Sequence, residues 1–262
     1  MIIKLDDLDY AVIDTFCFSV KVDLFSDLPD GFALVPIKDI GKKPTKEEKN
    51  SVTAVTGRSY QKKYRRRFRL FLIYDQYGQC YIASQRTKCD GITIEFHGLY
   101  QYGNDGQIHE DSIRRRHSLN CLLSYFQRVR IKRVDYAMDS PKTSVKILDR
   151  IRQKRVEKQV GSTLYFQPPN QRESENPRLK ITWYDKSKKD NLPFQIQRLE
   201  FSLKTACWSK NIINIFEIET MILKKGRDTL ERWIGCSVEV GTYKETHGRV
   251  NTTKSVGVRL AV

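Results

Sequence analysis

The sequence is poor in the residues that staple a small fold or build a structural metal site. Its six cysteines, Cys17, Cys80, Cys89, Cys121, Cys207 and Cys236, lie far apart, and none forms a CxxC pair. That spacing excludes a zinc ribbon, argues against a disulfide framework, and suits buried free thiols in a reducing compartment. The four histidines, His97, His109, His117 and His247, are scattered. No run of about 18 apolar residues is present, so no membrane-spanning helix is expected. The opening residues, MIIKLDD, carry acids where a secretory leader would be basic and then apolar. Acids are in deficit overall: 31 Asp and Glu stand against 47 Lys and Arg, a formal net charge of +16.

What the chain does have is enough apolar material for a core, with 39% hydrophobic residues, 13 Tyr and 12 Phe in 262 residues. It is therefore a folded protein and not a disordered basic tail. A sequence pI near 9.6 with many aromatics points to nucleic acid, because cations that neutralise phosphates release condensed counterions. An anionic membrane surface would attract the same charge.

The hydrophobic pattern gives the element order. Residues 1–57 mix short apolar runs with turn signals, and residues 39–50 (DIGKKPTKEEKN) are polar enough for an exposed loop. FLIYD, the turn at Gln76-Tyr77-Gly78-Gln79, and CYIAS predict a hairpin. Residues 91–98 (GITIEFHG) predict another strand. Residues 109–127 space Ile113, Leu119, Leu122, Leu123 and Phe126 helically. A strand follows in VRIKRVDYAMD, then a helix over 143–158, then strands in GSTLYF, RLKITWYDK and FQIQRLEFSLK. PPNQRESENP separates the first two of these as a loop. An amphipathic helix covers 211–234. The expected fold is α+β, with helices packed on a mostly antiparallel sheet. The expected organisation is N-terminal elements at 1–57 of the same domain, a main region at 58–236, and a peripheral tail at 237–262.

Two strand motifs could carry chemistry. In Arg133-Val134-Asp135-Tyr136-Ala137-Met138-Asp139, alternation puts Arg133, Asp135 and Asp139 on one face. The alternative is that Asp135 pairs with a neighbouring arginine and Asp139 caps the next turn, since buried charges are usually paired. In Trp183-Tyr184-Asp185-Lys186 and Arg198-Leu199-Glu200-Phe201, adjacent strands would put Tyr184 and Glu200 on one side. The alternative is a surface tyrosine beside a salt-bridged strand. The segment 58–69, RSYQKKYRRRFR, holds seven cations, no acid and three aromatics. It reads as a phosphate track in which Lys62, Lys63, Arg65, Arg66 and Arg67 meet the backbone while Tyr60, Tyr64 or Phe68 stack on bases. The alternative is a solvated face on a strand. Arg114, Arg115 and Arg116 on the central helix would add to that surface.

The order RVDYAMD, GSTLYF, ITWYDK, QRLEFSLK, over about residues 70–205, resembles the trans-acting Rep family of rolling-circle replication initiators. These serve small plasmids and filamentous phages and have relatives among relaxases. The resemblance implies an HUH-endonuclease-like fold without the histidine pair, and an enzyme that binds its origin and nicks one strand. Tyr184 would be the nucleophile and form a 5′-phosphotyrosyl bond. Lys186 would steady the phosphate or tyrosinate. Asp135, Asp139 and Glu200 would hold Mg²⁺ or Mn²⁺, hard ions that suit oxygen ligands. Arg133 and Arg198 would join the DNA-binding set. The implied partners are origin DNA as a single strand or hairpin, a host helicase and a second copy of the chain, in a bacterial cytoplasm with no membrane. The second function considered is a sequence-specific DNA-binding protein on the same fold without nuclease activity, and a third is an RNA-binding module. The loop before Tyr184 departs from the family pattern, with only Gln171-Arg172-Glu173-Ser174 in place of an arginine-serine element.

Overall fold

The computed structural model describes residues 10–21, 28–39, 41–43, 45–56, 68–86, 91–126, 128–141, 145–169, 179–204, 208, 213–235 and 237–240. Among these residues one sheet dominates. Its order runs β2 (Ala33–Lys38), β3 (Phe68–Tyr74), β4 (Cys80–Arg86), β5 (Ile92–Phe96), β1 (Tyr10–Val20), β6 (Arg128–Ser140), β10 (Gln197–Lys204), β9 (Leu179–Asp185), β8 (Thr163–Gln167), β7 (Val156–Val160). All of these neighbours pair antiparallel. Short β11 (Ile213–Asn214) pairs with β6, and β12 (Glu239–Val240) lies parallel to β1. The expected α+β class with a mostly antiparallel sheet is what the chain adopts. No helix among the described residues is long and apolar enough to cross a membrane.

The two faces of the sheet differ sharply, and period-two alternation explains why. One face is apolar: Phe16, Phe18, Phe96, Val134, Tyr136, Met138, Ile181 and Phe201 meet the helices. Over them lie α2 (Glu110–Phe126), α3 (Val145–Lys154) and α5 (Ile215–Ile234), which contribute Leu119, Leu122, Leu123, Ile147, Ile151, Ile222 and Leu230. Gly226 lets α5 approach closely, since a Cβ there would lie 2.5 Å from the Tyr136 ring. The Tyr136 hydroxyl donates to the Ile222 carbonyl at 2.7 Å.

The other face is covered in two patches. Helix α1 (Lys46–Thr56) packs over β3 and β4 through Val52, against Leu70, Leu72 and Ile82. Tyr100, Tyr102 and Ile108, in the connection from β5 to α2, pack with Val12, Ala137 and Ile196. The site lies between these patches.

Three sequence expectations need correcting. The polar stretch 39–50 is not all loop, because α1 begins at Lys46. A capping box starts it: the Thr45 hydroxyl accepts from the Glu48 amide at 3.1 Å and the Thr45 amide donates to the Glu48 carboxylate at 2.6 Å. The helix read over 143–158 stops at Lys154, and Val156 opens the exposed strand β7. The tail read from 237 is not wholly peripheral, because Glu239 and Val240 join β1.

Candidate active site

The polar rows on the second face are set by register. Tyr184 sits directly opposite Arg198, and Arg198 directly opposite Asp139. One step along, Thr182 faces Glu200 and Glu200 faces Ala137. Tyr184 is buried, and its hydroxyl donates to Glu200 Oε2 over a long 3.4 Å. Burial pushes the Tyr184 hydroxyl well above the usual tyrosine range; Arg198 pulls the other way, and Glu200 adds to the rise. At rest this oxygen is a protonated phenol that needs a proton acceptor before it can attack.

Arg198 is wholly buried. Its Nε and Nη2 each lie 2.6 Å from an Asp139 oxygen, and Nη2 also donates to the Tyr100 carbonyl at 3.0 Å. Its Nη1 is 3.1 Å from Asp14 Oδ1, an ion pair without hydrogen-bond alignment. Tyr102 donates to Asp139 Oδ2 at 3.0 Å. Arg198, expected to meet DNA, has no exposed surface here and is engaged by Asp139 and the Tyr100 carbonyl. The expectation that Asp139 holds a metal also fails in this arrangement, because both its oxygens are already engaged by a cation. Asp135 is fully buried and paired with Arg133, whose Nε donates to Oδ1 at 2.6 Å while Nη2 bonds the second oxygen. Arg133 is thus tied to this carboxylate, with 24% of its side chain exposed.

Lys186 opens the short turn α4 (Lys186–Asp190), which Asp185 caps by accepting from the Lys188 amide at 3.0 Å. Its ammonium donates to Gln101 at 2.6 Å and to Asp190 at 2.5 Å. Burial and then Arg198 lower its pKa, against the pull of Asp14 and Asp139. Lys189, three residues on, stands 4.4 Å from the centre of the Tyr184 ring.

Tyr184, Lys186, Lys189, Glu200, Asp14 and His97 line one cleft of about 420 Å³, with α1 and β4 on its far side. Asp14 lies where the β1–β6 register slips between Ile13 and Thr15, so the bulge supplies the residue. Its Oδ1 accepts from Gln101 at 2.7 Å. Burial raises its pKa, but Arg198 and Lys186 outweigh that, and it stays below the usual range. Glu200 goes the other way: burial, Asp135 and Asp14 raise its pKa against Arg133 and Arg198. The His97 ring bridges Glu95 and Thr15, each at 3.4 Å.

The donor set suits a divalent ion only in part. Among the described residues no three His, Cys, Asp or Glu side chains stand close enough to cage one. Asp14 and Glu200, however, face one cleft. Mg²⁺ at phosphate-transfer sites is commonly held by one or two carboxylates plus the substrate phosphate itself. Asp14 and Glu200, which line that cleft, would be the carboxylates for such an ion; Asp135 and Asp139, held by arginines outside the cleft lining, would not.

The helix arginines are dispersed. Arg116 is buried and donates to the Leu99 carbonyl at 2.5 Å, so it is not a DNA contact. Arg115 edges the cleft and donates to Gln79 at 3.0 Å and, over 3.4 Å, to the His97 carbonyl. Arg114, half-buried like Arg115, pairs with Glu110 at 2.5 Å. His109 lies beside Asp111, away from the cleft. Lys62, Lys63, Arg65, Arg66 and Arg67 lie outside the described residues. Sequence reasoning missed Asp14, Gln101 and Lys189; a carboxylate inside the apolar run Ala11-Val12-Ile13-Asp14-Thr15-Phe16 was the one signal available.

Comparison with known proteins gives little to set beside this geometry. No protein-family model and no curated protein matches the chain. Among solved structures, the rolling circle replication initiator protein from Geobacillus stearothermophilus is similar over 92% of this chain and 96% of its own, at 14% identity and a TM-score of 0.39. A likeness at that score carries no weight for the chemistry, which rests on the residues themselves.

Proposed function

We propose that this protein initiates rolling-circle replication by nicking one strand of its origin DNA through Tyr184, in the cytoplasm of a bacterial host. The observation that supports this most is the Tyr184 hydroxyl 3.4 Å from the Glu200 carboxylate in a cleft that also holds two lysines. Glu200, with its raised pKa, is suited to accept the tyrosyl proton. The Tyr184 oxygen then attacks phosphorus, a P–O bond to Tyr184 forms, and the P–O3′ bond breaks. The freed 3′-oxygen takes up a proton and leaves as a hydroxyl. Lys189 offsets the charge that builds on the phosphoryl oxygens, while Lys186 lines the same cleft but is itself buried and held by Gln101 and Asp190. A divalent ion held by Asp14 and the phosphate would polarise that phosphate. Asp139 and Arg198, on the same face beside Tyr184, hold the strands in place.

The phosphotyrosyl bond conserves the energy of the broken linkage, so the same site can rejoin the strand. The test is to incubate the protein and Mn²⁺ with supercoiled origin-bearing plasmid and look for a nick and a covalent protein–DNA adduct. Binding without an adduct on any origin sequence would replace this reading with that of a DNA-binding protein.

A further inference from the structure

We propose that the outer strands β7, β8 and β9 form a single-strand DNA platform that leads into the Tyr184 cleft, with Tyr165 as its stacking residue; this rests on the nicking function above. Register assigns the face. Tyr165 is directly opposite Thr182, which shares a face with Tyr184 two residues on. Lys158 is directly opposite Tyr165, and Val156 and Val160 are opposite Gln167 and Thr163. The opposite face of the same strands carries Leu164, Phe166 and Ile181, which are buried in the core. The core therefore covers one side of β8 and β9, whereas every residue of β7 is exposed. On the other side, Val156 and Val160 are more than half exposed and Lys158 is exposed.

On that face Val156, Lys158 and Val160 are exposed and Thr163, Tyr165, Gln167 and Lys180 half-buried, a chemistry that suits a polyanion with flat bases. Its side chains on β7, β8 and the start of β9 are Val156, Lys158, Val160, Thr163, Tyr165, Gln167 and Lys180, with two cations and no carboxylate among them. The acid of β7, Glu157, is on the other face, where it accepts from Arg152 at 2.7 Å. The Lys180 ammonium stands 4.8 Å from the centre of the Tyr165 ring. Lys180 lies over one face of that ring, so a base stacking on Tyr165 takes the other ring face or displaces Lys180 towards the adjoining phosphate. Strand spacing puts the Tyr165 and Tyr184 backbones roughly 8 Å apart, from about 4.8 Å across and two residues along. A strand lying on Tyr165 is delivered to the nucleophile without a turn.

The test is fluorescence anisotropy with a labelled single-stranded oligodeoxynucleotide of about ten residues, within the ~4–16 nucleotides one such surface covers. Tyr165→Ala is expected to weaken binding by about five- to a hundredfold, the range for losing one stacked base, and Tyr165→Phe to restore it. Lys158→Gln with Lys180→Gln should flatten the log–log salt dependence by ~0.7 for each phosphate no longer neutralised. Unchanged melting temperatures show that the variants fold. Wild-type protein that does not bind the oligonucleotide, or Tyr165→Ala binding within twofold of wild type, overturns the platform. So does equal competition by duplex DNA, or by an RNA of the same sequence. If Tyr165→Ala loses binding while wild type forms no adduct on origin DNA, the platform stands and the nicking function falls. If adduct forms but Tyr165→Ala binds normally, the reverse holds.

Discussion

Arg198 and Asp139 face each other across β10 and β6, with Nε and Nη2 each 2.6 Å from a different carboxylate oxygen. Arg198 is also the cross-strand partner of Tyr184, so this pair fixes the position of the residue beside Tyr184. Breaking a buried ion pair on one side strands a charge and costs about 3–5 kcal/mol. Asp139→Asn is expected to lose that much in chemical denaturation. The double variant Asp139→Leu with Arg198→Met is expected to regain most of it. A loss under about 1 kcal/mol for the single change would mean that the pair is solvated and holds nothing in place.

Tyr184→Phe removes one oxygen from a buried ring, so folding and DNA binding should persist while nick and adduct both vanish. Glu200→Gln should slow adduct formation by roughly 10²- to 10⁴-fold through loss of the proton acceptor. Tyr136 cannot substitute, being buried and bonded to the Ile222 carbonyl. Adduct on Tyr184→Phe, with the labelled peptide mapping to Tyr165, would move the nucleophile to β8.

Glu200 also ties stability to pH. Its folded pKa is raised from 4.5 by burial, Asp135 and Asp14. Its contribution is therefore fully present below about 4.5 and lost as pH rises through the folded value. At neutral pH its charge is a net penalty. Glu200→Gln should then melt higher than wild type at neutral pH, with the gap closing in acid. A variant that melts lower at neutral pH would contradict this.

Alanine at an exposed helical glycine normally stabilises by about 1 kcal/mol. Gly226→Ala should do the opposite, because its Cβ would meet the Tyr136 ring at 2.5 Å. A cost of about 1–3 kcal/mol is expected, as for other overpacked cores. Equilibrium unfolding measures it, and a stabilised variant would show that α5 can retreat from β6 without loss.

The basic run at 58–67 makes a prediction of its own. Replacing Arg65, Arg66 and Arg67 by Gln should flatten the salt dependence of DNA binding by ~0.7–0.9 for each phosphate left without its cation. An unchanged slope would assign the run to a solvated face.

Sequence patterns with a strong period were legible. The hairpin across Asp75 to Gln79, helix α2 and the strands β6, β9 and β10 follow alternation or helical spacing, and those strands do adjoin one another, bringing Tyr184 to Glu200. Long-range pairing was not legible. Nothing local says that Tyr10–Val20 inserts between β5 and β6, and so nothing predicted that Asp14 would reach the cleft. Nor can spacing say which arginine a buried aspartate will take. Asp135 chose Arg133 on its own strand, whereas Asp139 chose Arg198 across the sheet instead of capping a turn. Helix α1 was missed because its composition is polar, although Thr45 and Glu48 carried the capping signature.

The insertion of β1 has a bearing on how the protein is made. Ile13 pairs with Tyr136 and Phe16 with both Phe96 and Val134. During synthesis the first strand must wait until β6 has left the ribosome before its second edge is satisfied. The hairpins from β2 to β5 can close locally in the meantime, since short-range pairings form sooner than long-range ones. Until then β1 offers an apolar edge of the kind that recruits other chains. The same pairing creates the slip in register that carries Asp14, so the late step that protects the nascent chain from aggregation also completes the chemical cleft.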